Sequence, residues 1–169
     1  PVPDLTQGWA MLRSWLESCG PNALEDLAVD YATVFLAAGS ADGQAAVPCE
    51  SVYTSDKKIF MQEAWEDMSR LLREKELGKA DGLDDLMEDH LALELEFMAQ
   101  LIETGSTQEQ QKFLESHLLN WVPGFAADID RHAREDFYKA VGRITAGFLA
   151  LDHAFLDGLN DPQNLVLRT

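Results

Sequence analysis

The sequence predicts an all-α protein, a single-domain helical bundle of about six or seven helices. Three observations carry this. Apolar residues recur every three or four positions along most of the chain. No segment alternates with a period of two while enriched in β-branched residues. Glycine, proline and helix-capping residues fall between the periodic stretches. The 169 residues favour one domain and suffice for a sizeable core, and 46% hydrophobic residues set the chain apart from disordered compositions.

Each element has its own signal. Leu5, Trp9, Leu12, Leu16 and Cys19 mark the first helix, which Gly20-Pro21 stops. Asn22 is placed to cap the second, whose stripe is Leu24, Leu27, Tyr31, Val34, Phe35 and Ala38, with Gly39 ending it. A long connection then runs from Gly39 to Asp56. Its first half, "GSADGQAA", reads as flexible, while Pro48, Val52 and Tyr53 order its second half, and Ser55 or Asp56 caps the third helix. That helix carries Met61, Ala64, Trp65, Met68, Leu71 and Leu72 and ends near Leu77-Gly78. Residues 79–87 read as an acidic linker. The fourth helix runs from about Glu88 to Glu103 and stops at Gly105; a short fifth, about Thr107 to Leu119, starts at the capping candidate Ser106. Pro123 suits the first turn of a sixth helix. The last helix carries Phe137, Val141, Ile144, Phe148, Leu151 and Phe155, and its Gly142 and Gly147 permit a neighbouring helix to come close.

Charge narrows the function. Thirteen Lys and Arg stand against 30 Asp and Glu, a formal net charge of −17. Such a surface repels nucleic acid and anionic lipid and attracts basic partners. Two cysteines, Cys19 and Cys49, are too few for a disulfide framework, which points to a reducing compartment. No apolar run approaches the ~20 residues of a membrane span, so no stable membrane insertion is expected, and no signal peptide is visible. The chain opens at Pro1, the expectation for a processed or trimmed form.

The fourth helix holds the most informative polar residues. His90 and Glu94, one turn apart, fall inside the apolar arc of Leu91, Leu93, Phe97, Met98 and Leu101. A buried carboxylate needs a cation or a donor, or must stay protonated. Two readings stand side by side: a local His90–Glu94 structural pair, or a polar notch in an apolar groove where a cationic group of a partner docks. The rival from another class is a small helical enzyme or metal-binding protein using His90 and Glu94. A di-iron bundle needs Glu-x-x-His units, which the chain lacks, and His117, His132 and His153 read as having no helical partner at ligand spacing. Cys49 lies beside Glu50, whose charge raises a thiol pKa, and no GxSxG, GxGxxG or phosphate-binding glycine loop occurs. The expectation is a non-enzyme with no catalytic residues, no metal and no cofactor of its own. In the connection before the third helix, Glu50 and Tyr53 would present polar groups at a groove edge.

Five blocks in order give the chain a family. "DYATVF" at Asp30–Phe35, "PCESVY" at Pro48–Tyr53, "EDHLALELEFMAQL" at Glu88–Leu101, "HLLNWVPGF" at His117–Phe125 and "FYKAVGRIT" at Phe137–Thr145 together resemble the TorD/DmsD family of redox-enzyme maturation chaperones. The resemblance covers about Leu24 to Phe155. It implies a cytoplasmic all-helical chaperone that binds the twin-arginine signal peptide and the apoprotein of a molybdopterin oxidoreductase catalytic subunit. Such a chaperone holds its client back from export until the cofactor is inserted. The family's Asp-His pair, implicated in signal-peptide binding, falls on Asp89 and His90, and its Pro-x-Glu-Ser-x-Tyr-like loop on Pro48, Glu50, Ser51 and Tyr53. With Glu94, these form the expected peptide-binding set: Glu50, Ser51, Tyr53, Asp89, His90 and Glu94. Two departures stand out. The family's Glu-Pro before x-Asp-His is replaced by Leu86 and Met87, and the N-terminal part is shorter than usual in the family, so a groove built partly there would be incomplete. A monomer or a homodimer, helix-swapped to compensate, is the expected state. Nucleotide binding, attributed to some family members, finds no phosphate-binding motif here.

Overall fold

A computed structural model describes residues 2–39, 44–79 and 85–160. Among them lie eight α-helices and no strand. These are α1 (Pro3–Ser18), α2 (Ala23–Leu36), α3 (Glu50–Thr54), α4 (Glu63–Glu74), α5 (Leu91–Thr104), α6 (Thr107–Phe113), α7 (Val122–His132) and α8 (Asp136–Asn160). A π-helical turn, Leu114–Leu118, continues α6. The all-α class stands, and the count exceeds the expected one because the connection before α4 contains the short helix α3. Parts of two expected segments, the flexible "GSADGQAA" stretch and the acidic linker 79–87, lie outside the described residues.

The chain divides into two compact units. One takes α1, α2, α7 and α8 as far as Leu151; the other takes α3 to α6, the π turn and α8 from Asp152. In the first unit, Val34, Phe125, Ile129 and Ala140 are buried. Phe35 lies 6.3 Å from Phe125 and meets Tyr138 edge-on at 5.5 Å. Buried Asp30, first residue of the "DYATVF" block, accepts the backbone N–H groups of Arg134 and Glu135 at 2.9 Å each, just before α8 begins. An aspartate on α2 thus satisfies two backbone donors of the connection that leads into α8. Tyr138 on α8 returns the link by donating to the carbonyl of Leu27, 3.1 Å away.

Glycines set the approach of α1 to α8. A Cβ on Gly147 would lie 2.5 Å from the backbone N of Leu5, and one on Gly8 would lie 2.8 Å from Ile144 Cγ1. The small-residue face of α8 is therefore the packed one, with Ala140, Gly147 and Leu149 buried. The apolar stripe read from the sequence is only partly covered: Val141, Phe148, Leu151 and Phe155 are exposed. Periodicity marked an apolar stripe, but close backbone approach selected the small residues beside it.

The second unit is built on Met68, Leu72, Leu93, Phe97, Leu114 and Trp121. Phe97 and Phe113 pack at 4.7 Å, and the Phe113 ring stacks on His117 at 5.0 Å. The predicted cap Ser106 closes a reciprocal capping box with Glu109. The boundaries of α4 differ from expectation. It starts at Glu63, with Gln62 at its N-cap, because Ser55 ends α3 instead of capping α4. It ends with the Leu77 N–H bonded to Leu72 C=O and Glu76 in the left-handed region at φ 54°.

Replacing Gly147 with Ala gains about 1 kcal/mol of helix propensity, yet forces α1 away from α8. The backbone contact dominates, so G147A should lower stability by about 1–3 kcal/mol in urea unfolding.

Candidate functional site

Helix α3 is five residues long, too short to nucleate alone. It is held from outside. The backbone C=O of Asp89 accepts the Glu50 N–H at 2.9 Å, and Asp89 Oδ2 accepts the Ser51 N–H at 2.8 Å. Cys49 and His90 pair as an isolated antiparallel bridge beside these bonds. Asp89 thereby caps α3 across 38 residues of sequence, satisfying donors of its first turn. The Ser51 hydroxyl passes the anchorage on by accepting the Gln62 N–H, 3.3 Å away, at the entry to α4.

His90 caps its own helix. Its Nδ1 accepts the Ala92 N–H at 3.1 Å, so α5 begins at Leu91 and neither Asp89 nor His90 is helical. Burial pushes the imidazole pKa down, against the raising influence of Asp89. Asp89 is wholly buried, and its Oδ1 has no hydrogen-bond partner.

Glu50 and Glu94 complete a buried box of three carboxyl groups, with Asp89. Glu94 Oε2 accepts the Trp121 indole N–H at 3.0 Å. The sequence reading of a His90–Glu94 side-chain pair gives way to this one, because His90 turns to its own helix and Trp121 reaches across from after the π turn. Burial, followed by the charge of Glu50, holds the Glu94 carboxyl well above the ordinary range. A proton kept on Glu94 supplies the O–H donor that two facing carboxylates otherwise lack. Glu50 in turn meets His117 Nδ1 at 3.0 Å and accepts from Asn120 Nδ2 at 2.7 Å. Tyr53 packs its ring 5.4 Å from Trp121. The structure thus brings all six predicted residues together, with Asp89, Glu94, Glu50 and Ser51 buried and Tyr53 and His90 partly exposed.

Sequence reasoning missed His117, Asn120 and Trp121 as partners of the box. All three sit in the "HLLNWVPGF" block, where the π turn, with Leu119 N–H bonded to Leu114 C=O, sets their directions. Cys49 is no nucleophile: burial, then Asp89 and Glu94, push its thiol up to about 12. His153 corrects the ligand-spacing expectation. It lies 2.9 Å from Glu115 and 3.4 Å from Asp157, one turn on, and among the described residues these three are the set that converges like metal ligands. They are largely exposed and pair with one another.

Two clefts open beside the box. The first, of about 490 Å³, has Glu50, Asp56, Glu63 and Asp67 on its walls, with Lys57 and His117 as its cationic or titratable counterparts. The second, of about 400 Å³, lies over Leu71, Phe97, Leu101 and Phe113. Asp67, Ser116 and His117 line both. The first recess is acidic; the second has those four apolar residues within a rim of both signs, Arg70, Lys75 and Lys112 beside Asp67, Glu74 and Glu109.

Residues 2–127 match the family model described as nitrate reductase delta subunit, and the chain belongs to that family, the TorD family. Curated relatives named chaperone protein TorD agree. Those of Vibrio cholerae serotype O1 and Photobacterium profundum are 32% identical over 145 and 146 residues. That of Vibrio parahaemolyticus is 28% identical over 144 residues. Each alignment covers 79% of this chain and 64–65% of the relative, so the chain spans under two thirds of the length of these relatives.

Two outcomes test the box. Asp89→Ala leaves the Ser51 N–H buried without an acceptor and should cost about 1–3 kcal/mol in urea unfolding, with loss of α3 protection in hydrogen exchange. Glu94→Gln replaces the protonated carboxyl by an amide whose NH2 can donate to Glu50. A carboxyl whose pKa is raised on folding stabilises most fully below its unfolded value near 4.5, and loses that contribution as pH rises through the folded value. Wild type should therefore weaken on going from about pH 5 to pH 8, and E94Q should weaken less across the same window in denaturant titrations.

Proposed function

We propose that this chain is a cytoplasmic maturation chaperone for a molybdenum-dependent oxidoreductase. It binds the client's twin-arginine signal peptide and apoprotein, and so delays export until the cofactor is in place. Its function is binding, without turnover. The observation that carries the reading is the acidic cleft at Glu50 on a protein of net charge −17, with Leu71, Phe97, Leu101 and Phe113 in the recess beside it. Membership of the TorD family supports the same reading, as do relatives named as chaperones.

A twin-arginine signal joins a basic patch to an apolar stretch. Carboxylates on a cleft wall attract guanidinium groups and speed encounter, while burial of the apolar stretch supplies most of the affinity, at about 25 cal/mol per Å² before ordering costs. Within the predicted set, Glu50 faces the cleft. Ser51, Asp89, His90 and Glu94 act as positioning residues: they hold α3, and with it Glu50, at the cleft. Among the described residues no helix is long and apolar enough to cross a membrane, in keeping with a chaperone that meets its client before export.

Titration calorimetry with a twin-arginine leader peptide tests this. Binding is expected, at least tenfold weaker when both arginines become alanine, and falling as salt rises because the charges lie at a solvated cleft. A peptide indifferent to its arginines, or no binding at all, overturns the reading.

A further inference from the structure

We propose that Glu115, His153 and Asp157 form a binding site for a divalent transition-metal ion of the zinc class, which clips the last turns of α8 to the π turn. All three residues belong to the second unit. The site uses no residue of the carboxyl box and stands apart from the binding function proposed above. Glu115 lies in the π turn, while His153 and Asp157 are one turn apart on a single face of α8. Each offers one ligand atom, and the three atoms lie within 4.8 Å of one another. A tetrahedral zinc ion with bonds of about 2.0–2.1 Å holds its ligands about 3.4 Å apart. Rotation of side chains that are largely exposed closes the difference.

The groups are already aimed. His153 Nε2 stands 2.9 Å from Glu115 Oε1, and its Nδ1 stands 3.4 Å from Asp157 Oδ2. With the proton on Nδ1, Asp157 Oδ2 accepts it and Nε2 offers its lone pair beside Glu115. A carboxylate behind the imidazole is the arrangement that fixes the ring and tautomer of a metal-bound histidine. Gln111 Nε2 donates to Asp157 Oδ1 at 2.8 Å and to Glu115 Oε1 at 3.0 Å, so one amide turns both carboxylates toward a common point. Gln111 is held in turn, because its Oε1 accepts from Asn160 Nδ2 on α8. Charge is also lacking. Among the described residues neither carboxylate has a lysine or arginine within ion-pair distance, so two acceptors share one imidazole. An imidazole among carboxylates suits Zn(II), Ni(II) or Cu(II), whereas Mg(II) and Ca(II) favour shells of oxygen alone.

The test titrates Zn(II) into the 169-residue chain in competition with a chromophoric chelator. Every sample carries C19S, which removes the exposed thiol as a rival ligand. One saturable site per chain is expected. H153A, E115Q and D157N should each weaken it about tenfold or more, and H132A, at a partly exposed histidine elsewhere, less than about twofold. Mg(II) in roughly hundredfold excess should leave zinc binding unchanged, because it has little use for the imidazole. Hydrogen exchange supplies a second readout: saturating Zn(II) should slow the amides of the π turn and of α8 around His153, and H153A should abolish that protection. Chains without a saturable zinc site overturn the proposal. Equal losses in H132A and H153A, or displacement by Mg(II), reduce the binding to a diffuse acidic surface and overturn it too. So does zinc binding that leaves exchange in these two segments unaltered.

Discussion

Asp89 is the constraint on which the second unit depends. Its backbone and side-chain oxygens take the first two donors of α3, a helix with too few residues to persist by itself. With α3 fixed, Ser51 meets the entry to α4, Glu50 meets His117 and Asn120, and Tyr53 meets Trp121. A carboxylate at zero exposure is costly unless its bonds are satisfied, and one of its oxygens goes without a partner. The cost is carried because one side chain fixes the direction of a whole segment.

The same economy explains how three carboxyl groups share one interior. Two facing carboxylates repel strongly at low dielectric, and the relief is a proton. Glu94 is the group that takes it, being the more deeply buried and having only the indole N–H of Trp121 as donor, whereas Glu50 has an imidazole and an amide. Glu50 can then face the acidic cleft without a second charge directly behind it. The box works as a support, and of its three carboxyl groups Glu50 is the one that lines the cleft.

Much of the fold was legible because helical periodicity is a local signal. α1, α2, α5 and α6 fall close to where spacing puts them; Ser106 closes a box with Glu109, whereas Asn22 stands at the N-cap of α2 without a side-chain bond. α3 was not legible as a helix, since its stability comes from Asp89, 38 positions away, and no five-residue window carries that information. The same holds for Asp30, whose acceptors serve α8. Of the site, the six predicted residues do converge, but four of them converge inward. His117 and Asn120 were not read as partners of Glu50 because their directions arise from a π turn, which has no composition of its own. The α8 stripe shows the opposite failure, a strong local pattern that packing did not use in full.

The two aspartate clamps also differ in reach along the chain. Ser51 and Asp89 are 38 residues apart, whereas Asp30 must wait for Arg134, 104 residues on. A polypeptide made from its N-terminus delivers the later-numbered clamp partner of the second unit well before that of the first. The α3 anchor can therefore close while α2 still has no α8 to hold. The Asp30 clamp therefore closes later than the Asp89 one, leaving the aromatic residues of α2 without their α8 partners during that interval.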